Sequence, residues 1–209
     1  MRSPLSILAF ASLAGVLAAC NGGSASPPTL ATGNAFAFRF NESAGQFYRD
    51  YTGPQRPALN ALGADGSFIS ASQTIVLTAR MAGPVFTGGP NYFVWGIDRG
   101  GATNAPFPDE PNVKFNAVVV VTADPANGTA LTAVVNLLNG APPQTVTAAL
   151  LAPDTIQVTV PASALPATGT IAASQYQWNL WPRNGLGGTP AAQIASFIPD
   201  NSLATLLQQ

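Results

Sequence analysis

Apolar and polar residues alternate with a period near two through most of the chain, and that alternation predicts strands. Phe36, Phe38 and Phe40 alternate with Ala35, Ala37 and Arg39, which makes one face of a first strand aromatic. Gln73–Met81 places Ile75 and Leu77 against Thr74 and Thr78, and Ser67–Ser70 is a shorter candidate. Asn91–Asp98 (NYFVWGID) is nearly all apolar, the pattern of a central strand covered on both faces. Val118-Val119-Val120-Val121, within Val113–Asp124, is a β-branched run that predicts another buried strand. Asp124–Gly128 (DPANG) has turn chemistry, so Ala130–Leu138 is the return arm of a hairpin. Gln144–Leu151, Thr155–Val160 and Thr170–Trp181 supply three further strands. Asn41–Gly66 and Arg99–Asn112 read as irregular, the second a polar loop with three prolines. Gln193–Ile198 is a last candidate strand, although Thr189-Pro190 is a helix-start signal, and Ser202–Leu207 suggests at most a turn or two of helix. Short strands between Gly/Pro/Asn turns, with no repeat, predict an all-β, antiparallel sandwich of jelly-roll or immunoglobulin-like kind.

The first residues follow another pattern. Arg2 and the amino terminus are positive, Leu5–Val16 is apolar or small, and small residues precede Cys20. Such a run is too short to span a bilayer comfortably and suits a cleaved leader. Leu17-Ala18-Ala19-Cys20 resembles the lipobox of bacterial lipoproteins. The resemblance implies a diacylglyceryl group on the Cys20 thiol, cleavage before it and acylation of the new amino terminus. An ordinary secretory signal or an uncleaved anchor are the alternatives. Each buried acyl CH₂ contributes about 0.8 kcal/mol, so several chains anchor a protein durably. Asn21 in place of aspartate after the cysteine implies, by the sorting rule of enteric bacteria, the outer membrane of the cell envelope. The organisation expected is a leader at 1–19, an acylated Cys20 with a flexible tether to residue 33, and one domain at 34–209. A Gly/Ser/Pro-rich tether of that length averages ~20 Å end to end.

Composition narrows the chemistry. Charged residues are 8% of the chain, against a usual ~25%, so the surface is one of hydroxyls and amides. Eight Lys or Arg balance nine Asp or Glu without a basic stripe, so no nucleic-acid partner is expected. Cys20 is the sole cysteine and histidine is absent. Those absences remove a disulfide, Ser-His-Asp and Cys-His nucleophiles, and histidine-ligated zinc or haem.

Two segments together resemble a known group of extracellular sandwiches. Tyr92-Phe93-Val94-Trp95-Gly96-Ile97-Asp98 is an aromatic strand ending in an acid before a polar loop. Ile156–Val160 is followed by Pro161-Ala162-Ser163-Ala164-Leu165, a Pro-x-Ser-x-Leu turn. Over Asn91–Trp181 they resemble the DOMON and family-9 carbohydrate-binding modules, which implies a jelly-roll-like sandwich that binds sugar or haem. Haem ligation in that group uses Met and His; Met81 alone survives cleavage and no His exists, so the sugar-binding branch is the one implied.

Candidate site residues follow from side-chain chemistry. In Tyr176-Gln177-Trp178-Asn179-Leu180-Trp181, alternation puts Tyr176, Trp178 and Leu180 on one face and Gln177, Asn179 and Trp181 on the other. One indole can enter the core while Trp181 faces out beside amides, as a sugar ring would require; the alternative packs both. Trp181, Trp95 and Tyr51 are the candidate ligand contacts. Tyr48-Arg49-Asp50-Tyr51 puts aromatic and charged side chains on an irregular segment, as binding loops do; the simpler reading is a loop closing one end of the sandwich, with Arg49 and Asp50 solvated or paired. Asp98, Asn104, Asp109, Glu110 and Asn112 form an oxygen-rich stretch that could suit calcium, although ordinary turn chemistry accounts for it and no resident metal or cofactor is expected. The acids are scattered, so no catalytic residue is assigned, and a hydrolase would need two carboxylates to meet across a cleft. The reading is a lipid-anchored binding module for carbohydrate or another envelope polymer, with a structural lipoprotein docking an envelope protein as the alternative.

Overall fold

The strand-forming runs become fourteen strands among the described residues, which are 38–101, 105–107 and 110–209 of a computed structural model. The leader, Cys20, the tether, Phe36, Asn104 and Asp109 lie outside these residues. In chain order the strands are β1 (Phe40–Asn41), β2 (Ala61–Ile69), β3 (Thr74–Met81), β4 (Asn91–Asp98), β5 (Ala105–Phe107), β6 (Glu110–Phe115) and β7 (Ala117–Ala123). They continue as β8 (Leu131–Leu137), β9 (Gln144–Thr145), β10 (Thr147–Ala152), β11 (Thr155–Pro161), β12 (Gln177–Arg183), β13 (Ala204–Thr205) and β14 (Leu207–Gln208).

Two sheets face each other. One runs β1-β2-β3-β11-β10, with β14 also on β2; the other runs β13-β12-β4-β7-β8-β9. Every pairing is antiparallel except the short parallel contact of β14 with β2. The fold is therefore an all-β antiparallel sandwich. Its main core lies between the sheets, where Ile75, Leu77, Ile156 and Val158 meet Trp95, Val119, Val121 and Trp178. β4 sits between β12 and β7, as its apolar run predicts. In β7 the strict alternation of valines sends Val119 and Val121 into this core and Val118 and Val120 to the opposite face. Asp124 closes the β7–β8 hairpin by accepting from Ala126 N at 3.0 Å.

Four segments depart from the sequence reading. Asn41–Gly66 is not irregular to its end, because β2 begins at Ala61. Gly63 and Gly66 in β2 look like breaks but clear space for large rings: a Cβ on Gly66 would lie 2.5 Å from Trp178 Nε1. Arg99–Asn112 is not merely a loop, because β5 and the start of β6 form a hairpin there. Only Gln177–Trp181 of the strand expected over Thr170–Trp181 is extended, after a short 3₁₀ turn at Ala173–Gln175. Ser202–Leu207 holds the strand β13 and begins β14, with no helix.

The β5–β6 hairpin adds a cover over the outer face of the β12-containing sheet, and the Ile194–Ile198 segment, hydrogen-bonded along the edge of β12, adds Ile194 and Phe197 to it. Leu180 and Arg183 of β12 bridge to Ile198 and Ile194. Beneath this cover Val94, Phe107, Val113, Trp181, Ile194 and Phe197 form a second apolar cluster. At the far end of β4, buried Arg99 donates to Asn116 Oδ1 (2.8 Å), Asn116 O (3.0 Å) and Pro166 O (2.7 Å), tying two loops to the sandwich.

Candidate functional site

A loop of low apolar content stays ordered only if its backbone polar groups find partners. The Glu42–Tyr51 loop does so through buried Asn60, which accepts from Gly45 N at 2.7 Å and donates to Gln46 O at 2.5 Å. Gly45 lies at φ +84°, in the left-handed region that glycine enters without a Cβ penalty, and this lets the chain reverse. Glu42 N donates to Leu62 O and Tyr48 N to Ala195 O, at 2.9 and 2.7 Å, so the loop is stitched to β2 at one end and to the cover at the other.

Where this loop meets the Ser196–Asn201 segment and the first residue of β6, the surface opens into a cleft of about 500 Å³. Its walls include Glu42, Gln46, Phe47, Tyr48, Glu110 and Asp200. The Tyr48 ring sits edge-on to Phe197 at 5.0 Å, and Phe47 stacks on Tyr51 at 6.0 Å. Asn112 reaches across to Asn201 at 3.3 Å, joining β6 to the opposite wall.

The electrostatics of the cleft are acidic. Burial, and then the charge of Asp200, push the Glu42 carboxyl up to about 7, so much of it is protonated near neutrality. Glu110 is only 6% exposed. Burial first, and then the charge and approach of Glu110, raise the Tyr48 hydroxyl above its usual range. That approach stops short of hydrogen-bond geometry, for the buried Tyr48 Oη has no hydrogen-bond partner among the described residues. Arg49 is turned to Asp50 at 3.1 Å with its side chain 72% exposed, the paired and solvated arrangement expected for that dipeptide.

The three aromatic residues singled out as ligand contacts are all turned away from solvent. Trp181 is 2% exposed, Trp95 0% and Tyr51 7%. Alternation along β12 holds, with Trp178 in the main core and Trp181 on the other face, but the cover of Phe107, Phe115 and Phe197 packs over the second indole. Both indoles are thus packed, the alternative to an outward-facing Trp181, because Phe107, Phe115 and Phe197 close over the second one. Trp95 belongs to the main core. Tyr51 lies behind the cleft wall, its ring on Phe47 and its hydroxyl donating to Pro54 O at 3.1 Å.

Of the oxygen-rich stretch, Asp98 caps its own loop by accepting from Gly100 N at 2.8 Å, Glu110 faces the cleft, and Asp109 lies outside the described residues. Among the described residues no three His, Cys, Asp or Glu side chains gather as a metal-ligand set. Sequence reasoning missed Glu42, Gln46, Phe47 and Asp200. Glu42 and Asp200 sit at opposite ends of the domain's sequence, and no local spacing signals that the fold unites them.

No family model and no curated protein matches this chain. Among solved structures, the chain has a slight likeness to a protein from Bacteroides uniformis provisionally described as carbohydrate-binding. The two share 12% identity at a TM-score of 0.26, over 60% of this chain and 63% of that one. A likeness so slight carries no argument about fold or ligand.

Proposed function

We propose that this protein is a lipid-anchored, carbohydrate-binding module of the bacterial cell envelope, held at the outer membrane through Cys20. The cleft supports the reading: about 500 Å³ of open space is bounded by the aromatic rings of Phe47 and Tyr48 beside the polar groups of Gln46, Asn201 and three acids. Apolar C–H faces of a sugar stack on aromatic rings, and its hydroxyls exchange hydrogen bonds with amides and carboxylates. A volume of that size falls within the range of small-molecule sites. Full-length protein in detergent, applied to a glycan array, is expected to retain a defined set of glycans, and Tyr48→Ala is expected to lose at least about tenfold in affinity (about 1.4 kcal/mol). Absence of retained glycan on the wild-type protein would sink the proposal.

A second reading, docking of another envelope protein, draws on β10. Its one strand partner is β11, at the end of the sheet, and Leu150 and Leu151 are 37% and 39% exposed. Such an edge is a template for strand addition. Cross-linking from position 150 in intact envelopes, with capture of one protein lost on Leu150→Lys, is the outcome that reading expects.

A further inference from the structure

We infer that the sugar selected by this cleft carries a free ammonium group, as an amino sugar without its N-acetyl cap does. The inference rests on the sugar-binding reading above and specifies the ligand's chemistry. Glu42, Glu110 and Asp200 all line the cleft, and the guanidinium at its rim, Arg49, is already paired with Asp50 at 3.1 Å. Glu42 and Asp200 share this one cleft, and the charge of Asp200 adds to burial in raising the Glu42 carboxyl.

Glu110 adds a second and independent observation. It is the one buried acid among the described residues, it faces the cleft, and no ion pair engages it. The Tyr48 hydroxyl beside it is buried without a hydrogen-bond partner. A carboxylate taken out of water is costly unless a cation or donors meet it. Its nearest protein partners, the Tyr48 hydroxyl and the Arg49 guanidinium, approach it without a hydrogen bond or an ion pair, Arg49 being exposed and turned to Asp50, so the closer complement belongs to the ligand.

A compact ammonium brings three donors and a full charge. A bare metal ion fits less well, because no three of the acidic groups gather as a ligand set. The cation is thus better carried on a ligand that fills the cleft. A neutral acetamide offers one donor and no charge, and leaves Glu110 uncompensated.

The test is calorimetric titration of the full-length protein in detergent at about pH 6, where sugar amines are charged, with glucosamine, N-acetylglucosamine and glucose tetramers. At least a tenfold preference for the glucosamine tetramer is expected, shrinking as salt is raised. Glu110→Gln is expected to reduce that preference to less than threefold. Asp200→Asn, at an exposed position, is expected to reduce it as well. Equal affinity for the three tetramers, or a preference that survives both substitutions, overturns the inference and leaves sugar binding standing. A protein that binds none of the tetramers, and no glycan on the array, brings down both.

Discussion

Glu42 is a carboxyl whose surroundings change its ordinary chemistry. Its folded-state affinity for protons is raised by burial and by Asp200, with Glu110, Tyr48 and Arg49 also lining the cleft. Between its ordinary value near 4.5 and about 7 the folded protein holds the proton more tightly than the unfolded chain does. This contribution to stability is therefore complete below 4.5 and is lost as pH rises through 7. Thermal melts are expected to show the wild type losing ground to Glu42→Gln between about pH 5 and pH 8; parallel curves would disprove the assignment. Trp181 offers a second residue-scale prediction. It is fully packed, yet its indole N–H has no hydrogen-bond partner among the described residues. Trp181→Ala is expected to cost about 3–5 kcal/mol in denaturant unfolding, as large-to-small core changes do. Trp181→Phe, which keeps a ring and removes the unmet donor, is expected to cost much less.

At the scale of elements, the site depends on how the Glu42–Tyr51 loop is held. The Asn60 amide is its buried clasp, bonded to both Gly45 and Gln46. Asn60→Ala leaves those backbone groups unpaired and is expected to cost about 1–3 kcal/mol, with weakened glycan binding measured on the same sample. A wild-type affinity in that variant would mean the loop needs no clasp. The strands themselves differ in security. β7 is paired along its full length on both sides, with one face buried and the other half-buried, whereas β1, β13 and β14 are two-residue pieces. Amide hydrogen exchange is expected to be slowest in β4 and β7 and fastest in the short outer strands.

For the molecule as a whole, the proposed anchor and the binding cleft are separable. Cys20→Ser is expected to move the protein from the membrane to the soluble fraction and to remove the lipid mass from the intact-mass spectrum, with glycan binding unchanged. Persistence of the membrane-bound form without the thiol would argue for an uncleaved leader. The low charge of the chain, 8%, matters at this scale too. A scarcity of ions over the rest of the surface makes three acids around one cleft a local feature rather than part of a general acidic field.

The class of the fold was legible in the residues because strand alternation is local: Ile75 and Leu77 in β3, or Val119 and Val121 in β7, declare their inward face within a few positions. The turn at Asp124–Gly128 was legible for the same reason, since its cap is formed by neighbours. The candidate site was legible only in pieces: Tyr48-Arg49 and Glu110 stood out as aromatic or charged residues on irregular stretches, but nothing local joined them to one another or to Glu42 and Asp200. Its walls come from Glu42–Arg49, Glu110 and Ser196–Asn201, segments without periodicity that share no short-range signal and meet only when the cover closes over β12. The same closure decided the fate of Trp181: alternation put it opposite Trp178, as the sequence alone determined, but a partner distant in the chain decided whether that opposite face was surface or core. Period-two patterning determines which side of a sheet a residue takes, while only tertiary packing decides what lies on that side, because burial depends on contacts between residues far apart in sequence.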